Sequence, residues 1–199
     1  MKENKNVKSN FDCRYEILTS LPAYGAMYIP VTGDGRPCYS EGFPVRFYKT
    51  DGTTWIANFR LGWTQLKQVI ELEKTSDVIV VAGGCCYRMD PDETKPLDVF
   101  GHDYCEIFKI NNGRYVLQGE IDLTIIEPYG AHWATERISW DGLKEVKVEN
   151  NVITGLSYDP MDRIHEWVEF SYDLDARTLT GGSYRKYNFN NKKPWWKIW

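Results

Sequence analysis

The chain has 199 residues, a formal net charge of −4 and a sequence pI near 5.5, which argues against a surface built to track phosphates, so nucleic acid is not an expected partner. One domain of this length buries ~70% of the surface its unfolded form exposes and needs no disulfide framework. The aromatic share of 15%, with 13 Tyr and 8 Trp, supplies material for β-sheet cores and for protein interfaces.

Residues 1–10, "MKENKNVKSN", are rich in Lys and Asn and carry one apolar side chain, Val7, so they are expected to form a flexible arm ahead of a single β-rich domain over 11–199. This start lacks the apolar stretch of a secretory signal, and no run elsewhere approaches the ~20 apolar residues of a membrane helix. The expectation is a cytoplasmic protein with no membrane partner.

Turn signals then recur: "TGDGRP" at 32–37, "TDGTT" at 50–54, "AGG" at 82–84, "NNG" at 111–113, "WDG" at 140–142, "ENN" at 149–151 and "TGGS" at 180–183. Between them lie alternating or wholly apolar runs such as "VRFYK", "TTWIANF", "VIVVA", "RYVLQ", "LTII" and "EWVEFSY". The pattern predicts a mainly β fold of antiparallel hairpin units, arranged as a sandwich, an open barrel or a small propeller-like array, with at most one or two short helices. The segment 63–74, "WTQLKQVIELEK", fits helix and strand spacing equally. "IVVAGGCCYRMDP", "YVLQGEIDLTIIEP" and "NVITGLSYDP" echo one another, each with an apolar run and a glycine and each closing on a proline.

Catalytic signatures are scarce. The five cysteines, Cys13, Cys38, Cys85, Cys86 and Cys105, contain no CxxC pair, so structural zinc is disfavoured and mostly buried thiols are expected. Vicinal Cys85 and Cys86 would face opposite sides of a strand. A nucleophile would have to be Ser183 or Cys105, with a base among His102, His132 and His165, but neither sits in a G-x-S-x-G elbow. On a strand, His102 and Glu106 would stand about 13 Å apart, too far to share an ion. The acidic stretch "MDPDETKPLD" at 89–98 lacks the glycine and the closing glutamate of an EF-hand loop. No spacing selects Glu127 with Asp141 or Glu166 as a glycosidase pair, and no phosphate-cradling glycine motif occurs, so no cofactor or metal is expected.

Recognition is the better use of this composition. The stretch 127–142, "EPYGAHWATERISWDG", combines Tyr129, His132, Trp133 and Trp140 with Glu127, Glu136 and Asp141, and its first part reads as a loop. The expected binding residues are Tyr129, His132, Trp133, Glu136, Trp140 and Asp141. The ending "PWWKIW" at 194–199 follows Lys192 and Lys193, and its Trp195, Trp196 and Trp199 are expected to dock on the domain's own sheet, on a partner, or on a second copy to give a homodimer.

Segments such as "TERISWDG", "ITGLSYDP" and "TLTGGSYR", in a compact acidic chain over residues ~40–187, resemble the small β-rich bacterial immunity proteins that partner secreted toxins. The resemblance is one of size, charge and texture. It implies a non-catalytic inhibitor that covers a toxin's active site, and the chain's own acidity makes a basic toxin domain the expected partner. The alternatives are a barrel or propeller that binds a small molecule, sugar or peptide, a scaffold subunit, or an unrecognised hydrolase.

Overall fold

The computed structural model describes residues 14–25, 27–36, 38, 40–161 and 165–186. The N-terminal arm and the tail bearing Trp195, Trp196 and Trp199 lie outside the described residues. Within them the fold is mainly β: four sheets of four strands follow one another along the chain.

Sheet one contains β1 (Tyr15–Ile17), β2 (Ile29–Val31), β3 (Phe43–Tyr48) and β4 (Thr54–Phe59) in the spatial order β1-β3-β4-β2. Its one parallel pairing, Ile29↔Ala57 to Val31↔Phe59, joins β2 to β4. The other sheets are antiparallel meanders. Sheet two has β5 (Lys67–Glu71), β6 (Val78–Ala82), β7 (Cys85–Met89) and β8 (Asp98–Phe100); sheet three has β9 (Glu106–Lys109), β10 (Tyr115–Gln118), β11 (Leu123–Ile126) and β12 (His132–Ala134). Sheet four has β13 (Leu143–Glu149), β14 (Val152–Asp159), β15 (Glu166–Asp173) and β16 (Thr178–Gly181), and is followed by one helical turn, α1 (Ser183–Lys186).

Side-chain alternation explains how these sheets stack. Val78, Val80 and Ala82 on β6 pack with Phe43, Val45, Phe47 and Phe59 of sheet one, while Ile79 and Val81 pack with Tyr115, Leu117 and Ile126 of sheet three. A strand buried on both faces has no polar side, which is why this segment reads as an unbroken apolar run. Cys86 faces sheet three and Cys85 faces sheet one, as their adjacency requires. On sheet three, Val116, Leu123 and Ile125 meet Ile153, Phe170 and Leu179 of sheet four. None of the three apolar clusters formed by the described residues joins sheet four back to sheet one. Of the expected architectures, the four small sheets stacked face on face, with no closed barrel among the described residues, correspond to the sandwich-like arrangement.

The ambiguous segment 63–74 resolves as turns followed by β5, because Val69 and Ile70 face opposite clusters. The echo between repeats is half right. Pro91 and Pro128 follow the second strand of a central hairpin, β7 and β11, whereas Pro160 follows β14, the first strand of its hairpin. On β13 a bulge between Lys144 and Lys147, with Glu145 at φ 54°, interrupts the edge of sheet four.

Candidate functional site

Each meander begins and ends on the same side, so the connections between sheets gather at one end of the stack. Backbone bonds stitch them together: Gly62 N–H donates to Ala82 O, Trp63 N–H to His102 O, Tyr104 N–H to Gly84 O, Ile138 N–H to Ile121 O and Tyr184 N–H to Ile138 O. At Gly62 the fit leaves no room for a side chain. A Cβ on Gly62 would lie 2.5 Å from His102 O and 2.6 Å from Gly83 O.

Over sheets three and four this end carries an aromatic and acidic surface. The Arg137 guanidinium lies 5.3 Å from the Trp140 ring and 4.7 Å from the Tyr184 ring, and its N–H groups donate to Ser139 O and Trp140 O. The two rings meet edge to face at 4.7 Å. Tyr184 remains 38% exposed. Alongside, Arg185 grips both carboxylate oxygens of Glu136, at 2.7 and 2.9 Å from Nη2. Burial, and then the charge of Asp103, push the Asp122 carboxyl above the usual carboxylate range, against the opposing pull of Arg137. Asp103 also accepts from Glu120 N–H at 3.4 Å.

Over sheets one and two the same end holds a cleft of about 530 Å³ lined by Asp34, Arg60, Leu61, Trp63, Phe100 and His102, with Cys85 and Tyr87 below. Trp63 is 79% exposed, and its ring is braced by His102 at 4.8 Å. Across the cleft the Arg60 guanidinium lies 3.3 Å from Asp34. Tyr87 donates its hydroxyl to Arg60 O at 2.8 Å, and burial raises its pKa strongly, so it stays protonated.

The residues expected from the stretch 127–142 do not form one patch. Glu136 and Trp140 join the Arg137 and Tyr184 assembly, and Asp141 lies exposed beside them. His132 and Trp133 are neighbours on β12 and so face opposite ways. The His132 ring stacks on Phe100 at 3.7 Å with Asp98 3.4 Å from Nδ1, on the side of sheet two. Trp133 turns to sheet four, where it donates to Glu127 Oε1 at 3.0 Å and lies under Arg177. Tyr129 is exposed in the β11–β12 turn at the opposite end of the stack.

The candidate nucleophiles have structural duties. Ser183 is fully buried, donates to Tyr158 O at 2.7 Å and accepts from Trp140 N–H, while its own N–H donates to Ser157 Oγ. Cys105 is exposed, and of the described cysteines only Cys86 is fully buried, so the expectation of mostly buried thiols does not hold; the Cys105 thiol lies against Gln118 O, and partial desolvation raises its pKa. His165 is held by the Tyr158 hydroxyl at 3.0 Å. Among the described residues no group of three His, Cys, Asp or Glu side chains is placed to hold a metal. In the acidic loop, Asp90 and Asp92 accept backbone N–H bonds from Asp92 and Thr50, and Arg14 pairs with Asp92 at 2.7 Å.

Sequence reasoning passed over Trp63, Arg60 and Asp34 as binding residues, and weighed His102 only as a catalytic base or metal ligand. The one signal available was a tryptophan directly after a glycine between two strand runs, in "RLGWT". Among the described residues no helix is long and apolar enough to cross a membrane. No protein-family model matches the chain, and no curated protein matches it in sequence.

Proposed function

We propose that this chain is a non-catalytic binding protein that recognises another protein through the connection-bearing end of sheets three and four. The observation that carries the reading is the assembly of Arg137, Trp140 and Tyr184. An aromatic anchor already fixed by two neighbours loses little rotamer freedom on binding, and Tyr, Trp and Arg dominate interface energetics. Among the described side chains the surrounding acids, Asp103, Glu120, Asp122, Glu136 and Asp141, outnumber the cations Arg137 and Arg185, which suits a basic partner. A partner's cation near Asp122 would relieve the repulsion from Asp103. The resemblance to immunity proteins names the partner class as a toxin domain whose active site this end would cover.

The test is a pulldown of tagged protein from host lysate, read by mass spectrometry and native mass, with Tyr184→Ala and Asp103→Asn variants run beside it. Expected is one stoichiometric basic partner, weakened by salt and by Asp103→Asn, and lost with Tyr184→Ala. Recovery of the protein alone, or a partner retained equally by both variants, overturns the reading.

A further inference from the structure

We propose that the cleft between sheets one and two is a binding site for a neutral oligosaccharide, separate from the protein-recognition surface and independent of it. Three observations converge on that ligand class.

The first is the platform. Trp63 keeps 79% of its surface exposed, yet its backbone is fixed on both sides, by Gly62 N–H to Ala82 O at 2.9 Å and Thr64 N–H to Gly83 O at 2.9 Å. His102 braces the ring, at an interplanar angle of 56°. A large apolar ring held in water forgoes the favourable burial of its faces. Its electron-rich face complements the C–H groups that line one side of a pyranose.

The second is the opposite wall. Arg60 and Asp34 are 3.3 Å apart, and Arg36 Nε lies 3.9 Å from the same carboxylate. Guanidinium groups only donate and a carboxylate only accepts, so the wall offers both kinds of partner side by side. Adjacent hydroxyls of a sugar need that pair, since each both donates and accepts. The Arg60 backbone is itself anchored, through N–H to Val31 O at 3.0 Å and its carbonyl to the Tyr87 hydroxyl at 2.8 Å. Along the wall and its continuation Arg36 and Arg60 are matched by Asp34 and Glu41, two guanidinium groups against two carboxylates, and this balance of charge suits a neutral polyol.

The third is extent. A second groove of about 440 Å³ shares Asp34, Arg60 and Leu61 with the cleft and continues past Arg36, Ser40 and Glu41. The cleft alone is within the ~300–1,000 Å³ of ordinary small-molecule sites. Together the two run on from the platform, so more than one sugar ring is accommodated.

The experiment is isothermal titration of the full chain with maltohexaose, cellohexaose and chitohexaose at up to millimolar concentration, with hexagalacturonate as the anionic comparison. At least one neutral hexaose is expected to bind. Its affinity should fall at least about tenfold in Trp63→Ala and in Arg60→Ala, partly in Trp63→Phe, and stay unchanged in Tyr184→Ala. Circular dichroism and melting confirm that each variant is folded. Absence of binding by all three neutral sugars, binding indifferent to Trp63→Ala, or tighter binding of hexagalacturonate overturns the proposal. Loss of the protein partner in the pulldown would leave these outcomes unaffected, so the two readings fail separately.

Discussion

The Tyr104 hydroxyl donates to Thr124 Oγ1 at 2.8 Å, a buried bond that ties the crossing between sheets two and three to the second central strand of sheet three. Tyr104→Phe should lower stability by ~1 kcal/mol, while Thr124→Val, which strands a buried hydroxyl, should cost ~1–3 kcal/mol. Combining the two should cost less than their sum. Urea unfolding of the four proteins in a double-mutant cycle measures the coupling, and additive losses would show that the bond contributes nothing.

Asp77 is buried at the head of β6, and its Oδ2 accepts from Arg88 Nε at 2.9 Å and Nη2 at 2.6 Å. Asp77→Ala leaves a guanidinium half-buried without its counter-charge, and the expected cost is ~3 kcal/mol. Replacing both residues by apolar ones of similar volume should recover part of that loss. Thermal melts of the two variants check the order.

Asp122 gives a pH signature. Its folded pKa is raised, by burial first and by Asp103 second, so its protonated form is favoured in the native state. The resulting stability is present below the ordinary carboxylate range and is lost as pH rises through the folded pKa. Asp122→Asn should therefore stabilise the protein at pH 7 and make no difference below roughly pH 3.5. A variant that is less stable at pH 7 would mean that the carboxylate makes a compensating contact.

Gly62 allows the backbone of sheet one's exit to pass between residues 83–85 and His102. The two closest atoms to an added Cβ, at 2.5 and 2.6 Å, are backbone carbonyl oxygens, which cannot rotate away as a side chain would. Gly62→Ala should cost ~3 kcal/mol and displace Trp63, so it should also reduce sugar binding. Unchanged melting would show that the crossing is looser than these distances imply.

Much of this architecture was legible because strand periodicity is local. "VIVVA" had to be buried on both faces, and "EWVEFSY" had to have one wet face, which it has: Trp167 and Glu169 are exposed while Phe170 and Tyr172 are buried. The third echo misled because a proline exit follows either strand of a hairpin equally well. The site was less legible. Adjacent positions on a strand face opposite ways, so His132 and Trp133 could not share a patch once β12 formed; a loop reading of that stretch hid the conflict. Trp63 was missed for a different reason. Whether a tryptophan is core or platform depends on which distant segments cover it, and here His102, 39 positions on, braces the ring without enclosing it.

Each layer of the stack is built from one contiguous stretch of chain and, among the described residues, shares its apolar clusters only with the layers before and after it. Such an object is quasi-one-dimensional in its energetics. On the ribosome, sheet one can start to bury its inner face as soon as sheet two has emerged, with no wait for the distant C-terminus. Pulled from its two ends, the same molecule should yield layer by layer from the outside inwards, because among the described residues sheets one and four are each held by one apolar interface and sheets two and three by two.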